Sequence, residues 1–105
     1  ENMVNVDEGD TIPFADTQFT VMRTPGHSPG SLVYRIGDIL FVGDTLFAGS
    51  CGRTDFAGGS FGEILGSLKR LAQLEGNLRV CPGHESPTDL DTERKYNPFV
   101  LQALR

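Results

Sequence analysis

The chain has 105 residues and carries nine basic against fourteen acidic side chains, a formal net charge of −5. That length bounds it to one domain, residues 1–105, with a modest core, and the acidic balance disfavours a nucleic-acid backbone as main partner, since affinity there comes from phosphate neutralisation. No apolar run approaches the roughly 20 residues of a membrane span and no signal peptide is visible, so no membrane partner is expected.

The first residue is Glu1 rather than an initiator Met, which suggests a processed or trimmed product and leaves an upstream targeting segment open. Residues 1–16 are polar and turn-rich; Val4 and Val6 hint at a short strand and Asp7-Glu8-Gly9-Asp10 at a turn. Residues 17–24 read as a strand, with Phe19 and Val21 on one face and Thr20 and Met22 on the other. Pro25-Gly26 then forces a turn that carries His27 out of the sheet. Residues 31–36 and 39–42 flank Gly37-Asp38, a strong hairpin signal, so these strands are expected to be antiparallel neighbours. The hairpin places His27 and Asp44 at the same end.

Residues 43–62 form a long glycine-rich segment, of the kind that is functional or mobile inside a compact domain. Ser60 begins the clearest helix, with Glu63 completing a capping-box pattern. Phe61, Ile64, Leu65, Leu68, Leu71 and Ala72 make one apolar stripe, Lys69, Arg70 and Gln73 face away, and Gly76 is placed to stop the helix. Residues 78–81 read as a short buried strand leading through Pro82-Gly83 to His84. Residues 92–96 suggest a helical turn, and Asn97 can cap a last helix with Pro98 at its first position.

Cys51 and Cys81 lie in different contexts and suggest no disulfide framework, so the thiols are read as reduced and the compartment as cytoplasmic. No second cysteine stands at ligand spacing from Cys51, which favours a small loop residue over a thiolate ligand or nucleophile. A single loop histidine is ordinarily a polar surface residue. Pro-Gly-His repeated after two strands, with Gly43-Asp44-Thr45 at the end of a third, instead favours metal ligation by His27, Asp44 and His84. Neutral imidazole and carboxylate suit zinc, and also non-haem iron or manganese.

Thr24-Pro25-Gly26-His27-Ser28-Pro29-Gly30-Ser31, Gly43-Asp44-Thr45-Leu46-Phe47, Gly52-Arg53-Thr54-Asp55-Phe56, Pro82-Gly83-His84-Glu85 and Asn97-Pro98-Phe99 together resemble the metallo-β-lactamase-fold hydrolases, in particular the glyoxalase II-like (hydroxyacylglutathione hydrolase-like) branch. The resemblance implies an α/β (α+β) fold: the C-terminal half of an αβ/βα sandwich, a mostly antiparallel sheet with helices on one face. It implies two divalent metal ions, zinc first and iron or manganese as alternatives. His27 would complete the ligands of the first, His84 would belong to the second, and Asp44 would bridge them as the catalytic carboxylate. Cys51, Gly52 and Arg53 would lie beside the thiol portion of the substrate. Arg53 has two open roles, contact with a substrate carboxylate or pairing with Asp55.

The implied reaction is hydrolysis of a small-molecule thioester by a metal-bound hydroxide. The family's His-X-His-X-Asp-His motif is absent here, since the chain has only two histidines. The chain alone is therefore expected to bind metal poorly or not at all, and to be inactive until the other half is supplied. As in the short members of the family, the helical C-terminal domain with which glyoxalase II grips glutathione is not expected, and glutathione specificity is not implied. Alternatives are a persulfide dioxygenase-like mononuclear iron enzyme, a nuclease or lactonase on the same fold, and a non-catalytic half-domain that self-associates or pairs with the missing N-terminal half. The acidic balance argues against the nuclease.

Overall fold

Alternating apolar and polar residues favour extended chain wherever one sheet face is buried, and the computed structural model, which describes residues 11–14, 17–55 and 58–105, follows that pattern. In chain order the elements are β1 (Thr11–Phe14), β2 (Thr17–Arg23), β3 (Leu32–Ile36), β4 (Ile39–Gly43), β5 (Leu46–Phe47), β6 (Ser50–Cys51), α1 (Phe61–Ala72), β7 (Arg79–Pro82), β8 (Thr88–Asp89), α2 (Leu90–Tyr96) and α3 (Pro98–Ala103). The strand expected around Val4 and Val6 and the turn at Asp7-Glu8-Gly9-Asp10 fall outside the described residues.

The main sheet has the order β1-β2-β3-β4-β7-β8, and β5 with β6 forms a separate small hairpin. Gly37-Asp38 closes the expected β3–β4 hairpin in register Ile36↔Ile39. All pairings in the main sheet are antiparallel except β4 with β7, which run parallel. A parallel pair needs a crossover connection, and α1 supplies it.

Register divides the sheet into two faces. Val33, Leu40, Val42 and Val80 point to one, where they pack with Ile64, Leu68 and Leu71 of α1, Leu90 of α2 and Val100 of α3. The helices thus cover one face, as expected for an α+β half-sandwich. On the opposite face, Val21, Tyr34, Phe41 and Cys81 line up across four strands. Phe19 meets Tyr34 edge to face at 6.1 Å there, and Phe41 is 39% exposed.

Helix ends follow local chemistry. Ser60 caps α1 by accepting from the Glu63 N–H at 3.2 Å. The reciprocal half of the expected capping box is not made, because the Ser60 N–H donates instead to the Gly26 carbonyl at 2.7 Å. The helix ends at Ala72, before Gly76, and Arg94 from α2 closes that end, its guanidinium donating to the carbonyls of Ala72, Leu74 and Gly76. A cation there also complements the helix dipole. Asn97 caps α3 as expected, with Pro98 in the first turn. Among the described residues, no helix is long and apolar enough to cross a membrane.

Candidate metal centre

Strand direction brings the three expected ligands together. Since β2 is antiparallel to β3, β3 antiparallel to β4, and β4 parallel to β7, the strands β2, β4 and β7 all run the same way. Their C-terminal ends share one edge of the sheet, and His27, Asp44 and His84 follow those ends. At the end of β4 the register with β7 shifts, Gly43 takes a φ of 54°, and the Gly83 N–H donates to the Gly43 carbonyl at 3.0 Å. Such an irregularity re-aims a side chain at a sheet rim, here that of Asp44.

The loop carrying His27 is held from two sides. Gly26 has a φ of 140° and lies so close to α1 that a Cβ would overlap the Ile64 backbone. Ser67, buried on α1, donates to the Pro25 carbonyl at 2.7 Å. Beneath the loop, the hydroxyls of Thr24 and Thr45 meet at 3.0 Å.

His27 Nε2 lies 3.6 Å from Asp44 Oδ2, and His84 Nδ1 lies 3.4 Å from Asp44 Oδ1. One carboxylate therefore faces a different imidazole with each oxygen. His27 Nδ1 is 2.8 Å from the Arg53 carbonyl. A carbonyl only accepts, so Nδ1 carries the proton of the neutral ring and Nε2 is the acceptor turned toward Asp44. Both histidine–aspartate distances exceed the 2.7–3.2 Å range of a hydrogen bond. They are near the roughly 3.3 Å that separates two ligands on a tetrahedral ion with bonds of ~2.0–2.1 Å. In donor chemistry and spacing the residues thus fit part of a metal site. Among the described residues, no group of three or more His, Cys, Asp and Glu side chains is arranged to hold one ion.

The segment after Asp44 is not a plain connector: it folds into the β5–β6 hairpin and returns to the site. Gly52 is buried, donates to the Thr45 carbonyl at 3.2 Å, and sits where a Cβ would overlap the Asp44 carbonyl oxygen. Its lack of a side chain is what permits this approach. Cys51 is half-buried against the core, and burial pushes its thiol up from the ordinary range, which disfavours a nucleophilic thiolate. Arg53 grips Asp55 with both ends of its fork, at 3.0 and 2.8 Å, so the loop-holding role is realised. That pairing raises the guanidinium pKa and lowers that of the exposed Asp55 carboxyl.

Thr24, Thr45, Glu93 and the donor side of Asn97 were not singled out by sequence reasoning. The two threonines flank the Pro-Gly-His and Gly-Asp motifs symmetrically, and Glu93 and Asn97 stand at i,i+4 spacing on a helix, where side chains meet.

The model of the Metallo-beta-lactamase superfamily matches residues 1–84. The chain belongs to this superfamily. A curated superfamily relative, hydroxyacylglutathione hydrolase GloC of Haemophilus influenzae, is 32% identical over 96 residues, 89% of this chain and 45% of its own. The crystal structure of ETHE1 from Myxococcus xanthus superposes with a TM-score of 0.89 at 34% identity, covering 96% of this chain and 49% of that one. TTHA1623, solved in a di-iron-bound form, gives a TM-score of 0.83 at 39% identity over 94% of this chain and 49% of its own. This superfamily chain thus spans about half the length of such relatives. Superfamily members bind divalent metals and include metallo-hydrolases.

Proposed function

We propose that this chain supplies one side of a dinuclear metal centre that hydrolyses small-molecule thioesters of the hydroxyacylglutathione kind. In this reading His27 serves one ion, His84 the other and Asp44 both. The observation that carries it is the apposition of His27 Nε2, an acceptor once Nδ1 donates to Arg53, with a carboxylate oxygen 3.6 Å away. With the ring neutral, two lone-pair donors at that separation repel unless a metal cation or a proton lies between them. The name of the Haemophilus relative supports the thioester class.

A bound divalent ion supplies a water of lowered pKa and a Lewis acid for the carbonyl, and this donor set suits zinc first, iron or manganese second. Asp44 would bind the ions through its two oxygens and so orient the attacking water. Gly52 lets the loop pack on the Asp44 backbone, Cys51 packs behind it against the core, and Arg53 braces the loop through Asp55, so that this segment would flank the thiol portion of the substrate. The leaving thiolate needs no acid partner, because thiols ionise near pKa ~8.5.

Each ion would receive only two protein donors here, short of the three or four that zinc takes. The rest are proposed to come from a His-X-His-X-Asp-His half, in line with the half-length coverage of the relatives. That half, or a second copy of the chain, would pack on the open sheet face around Phe41. Cys51 and Cys81 are free thiols, which supports a reducing, cytoplasmic setting.

A second reading, a persulfide dioxygenase-like iron enzyme, is supported by Gly52-Arg53-Thr54-Asp55-Phe56 and by the likeness to ETHE1.

The test is to titrate the chain with Zn(II), then assay the chain and the protein completed by the other half with a hydroxyacylglutathione thioester, following thiol release. Weak binding abolished by Asp44→Ala, and turnover only in the completed protein, are expected. Binding indifferent to Asp44→Ala would sink the proposal; oxygen uptake with a persulfide, and no thiol release, would replace it by the second reading.

A further inference from the structure

We propose that Glu93 and Asn97 are positioning residues for the metal centre, acting through the β5–β6 hairpin to fix the tautomer of His27. The functional meaning of this inference rests on the proposed centre, whereas its structural part rests on geometry.

Both residues are buried, Glu93 at 2% and Asn97 at 0% exposure, and both are polar where an apolar side chain would fill the space at less desolvation cost. Glu93 Oε1 accepts from the Gly49 N–H at 2.9 Å and from Asn97 Nδ2 at 2.8 Å, and Oε2 accepts from the Thr88 hydroxyl at 2.9 Å. Asn97 Nδ2 also donates to the carbonyls of Phe47, at 3.2 Å, and Ser50, at 2.9 Å. The polar backbone of the hairpin tip therefore ends on two side chains more than forty residues further along the chain.

A hairpin with two residues in each strand is marginal by itself in water; Leu46 is buried in the core, and the bonds to Glu93 and Asn97 hold the tip. From the tip, the pairs Phe47↔Ser50 and Leu46↔Cys51 lead to Gly52, bonded to Thr45, and then to Arg53. The Arg53 carbonyl is the acceptor that keeps the proton on His27 Nδ1 and turns Nε2 toward Asp44. Such partners of a ligating histidine set its tautomer and orientation. If the tip slips, the Arg53 carbonyl shifts and its hold on the Nδ1–H form weakens.

The variants that separate anchoring from folding are available. Asn97→Ser keeps an oxygen to cap α3 but removes the amide that donates to the hairpin. Glu93→Gln keeps an acceptor for Gly49 and Asn97 and serves as the conservative rescue. Val100→Ala removes buried packing from α3 without deleting a hydrogen bond to the hairpin. Side-chain nitrogen NMR of His27 in the full chain, at alkaline pH, reads the tautomer directly, and Co(II) titration reads affinity. Wild type, Glu93→Gln and Val100→Ala are expected to hold the proton on Nδ1. Asn97→Ser is expected to shift the ring mostly to the Nε2–H form and to weaken Co(II) binding about tenfold.

An unchanged tautomer in Asn97→Ser overturns the proposal, as does an equal change in Val100→Ala or a wild type lacking the Nδ1 proton. Should cobalt bind too weakly to titrate, the tautomer decides. Thioester cleavage is not among the readouts, so its absence would defeat the proposed function and leave this inference standing.

Discussion

The hydroxyls of Thr24 and Thr45 meet at 3.0 Å, and both residues are buried. Thr24 precedes Pro25-Gly26-His27 and Thr45 follows Asp44, so one bond ties together the two loops that carry the candidate ligands. Stranding one buried hydroxyl costs about 1–3 kcal/mol, whereas replacing both partners with apolar groups of the same shape is nearly neutral. Thr24→Val and Thr45→Val are each expected to destabilise by about that amount in urea unfolding, and the double variant to recover most of it. Strictly additive losses would mean that the hydroxyls do not depend on each other.

Gly26 and Gly37 both have positive φ, 140° and 56°, but only Gly26 has the backbone of Ile64 against it. At Gly37 an alanine meets open space and bears only the left-handed penalty, about 1–2 kcal/mol. At Gly26 the added methyl must also push α1 away from the His27 loop, so Gly26→Ala is expected to cost roughly 3 kcal/mol or more. Comparable midpoints for the two variants in denaturant would remove the case for close packing at Gly26.

Much of this site was legible because its first pair depends on a local signal. Gly37-Asp38 announces a hairpin, and a hairpin necessarily returns the end of β4 to the start of β3, beside His27. His84 joins them for a non-local reason: β7 lies parallel to β4, a pairing that a short apolar run such as residues 78–81 does not encode by itself. The β5–β6 hairpin was hidden in a glycine-rich segment because its shape is set by Glu93 and Asn97, far along the chain. Gly76 reads locally as the helix stop, but α1 ends four residues earlier, where the Leu74 N–H bonds the Leu71 carbonyl and Arg94 of α2 donates to the Ala72 carbonyl.

Asp89 links the helical end of the chain to pH. It caps α2 by accepting from the Thr92 N–H at 2.8 Å. That bond, then the Thr92 side chain and a weaker pull from Arg79, holds its carboxyl below the ordinary range. A carboxyl with a depressed folded-state pKa adds stability that is present above its unfolded pKa of about 3.9 and is lost as pH falls through the folded value. Asn caps helices as well as Asp and does not titrate. Below about pH 4, Asp89→Asn is therefore expected to lose less stability than wild type, in denaturant melts compared at pH 7 and in acid. Parallel acid limbs for the two proteins would show that the cap does not contribute.

The face of the sheet away from the helices gives the last expectation. Val21, Tyr34, Phe41 and Cys81 form a row there across β2, β3, β4 and β7, with Val21 buried, Tyr34 and Cys81 half-buried and Phe41 39% exposed. Apolar surface of this kind on one side of a sheet drives association when another layer is at hand. The chain alone is expected to self-associate with rising concentration in sedimentation velocity, and the other half of the domain, when added, to compete. Phe41→Lys puts a charge in the row; since more than half of the Phe41 side chain is buried, a loss of about 1–2 kcal/mol in folding stability is also expected. It is expected to return the chain to monomer and to weaken pairing with the other half, under conditions where urea unfolding shows the variant still folded. A monomeric wild type that also ignores the other half would mean that this face needs no cover, and the half-domain reading of the chain would lose its physical basis.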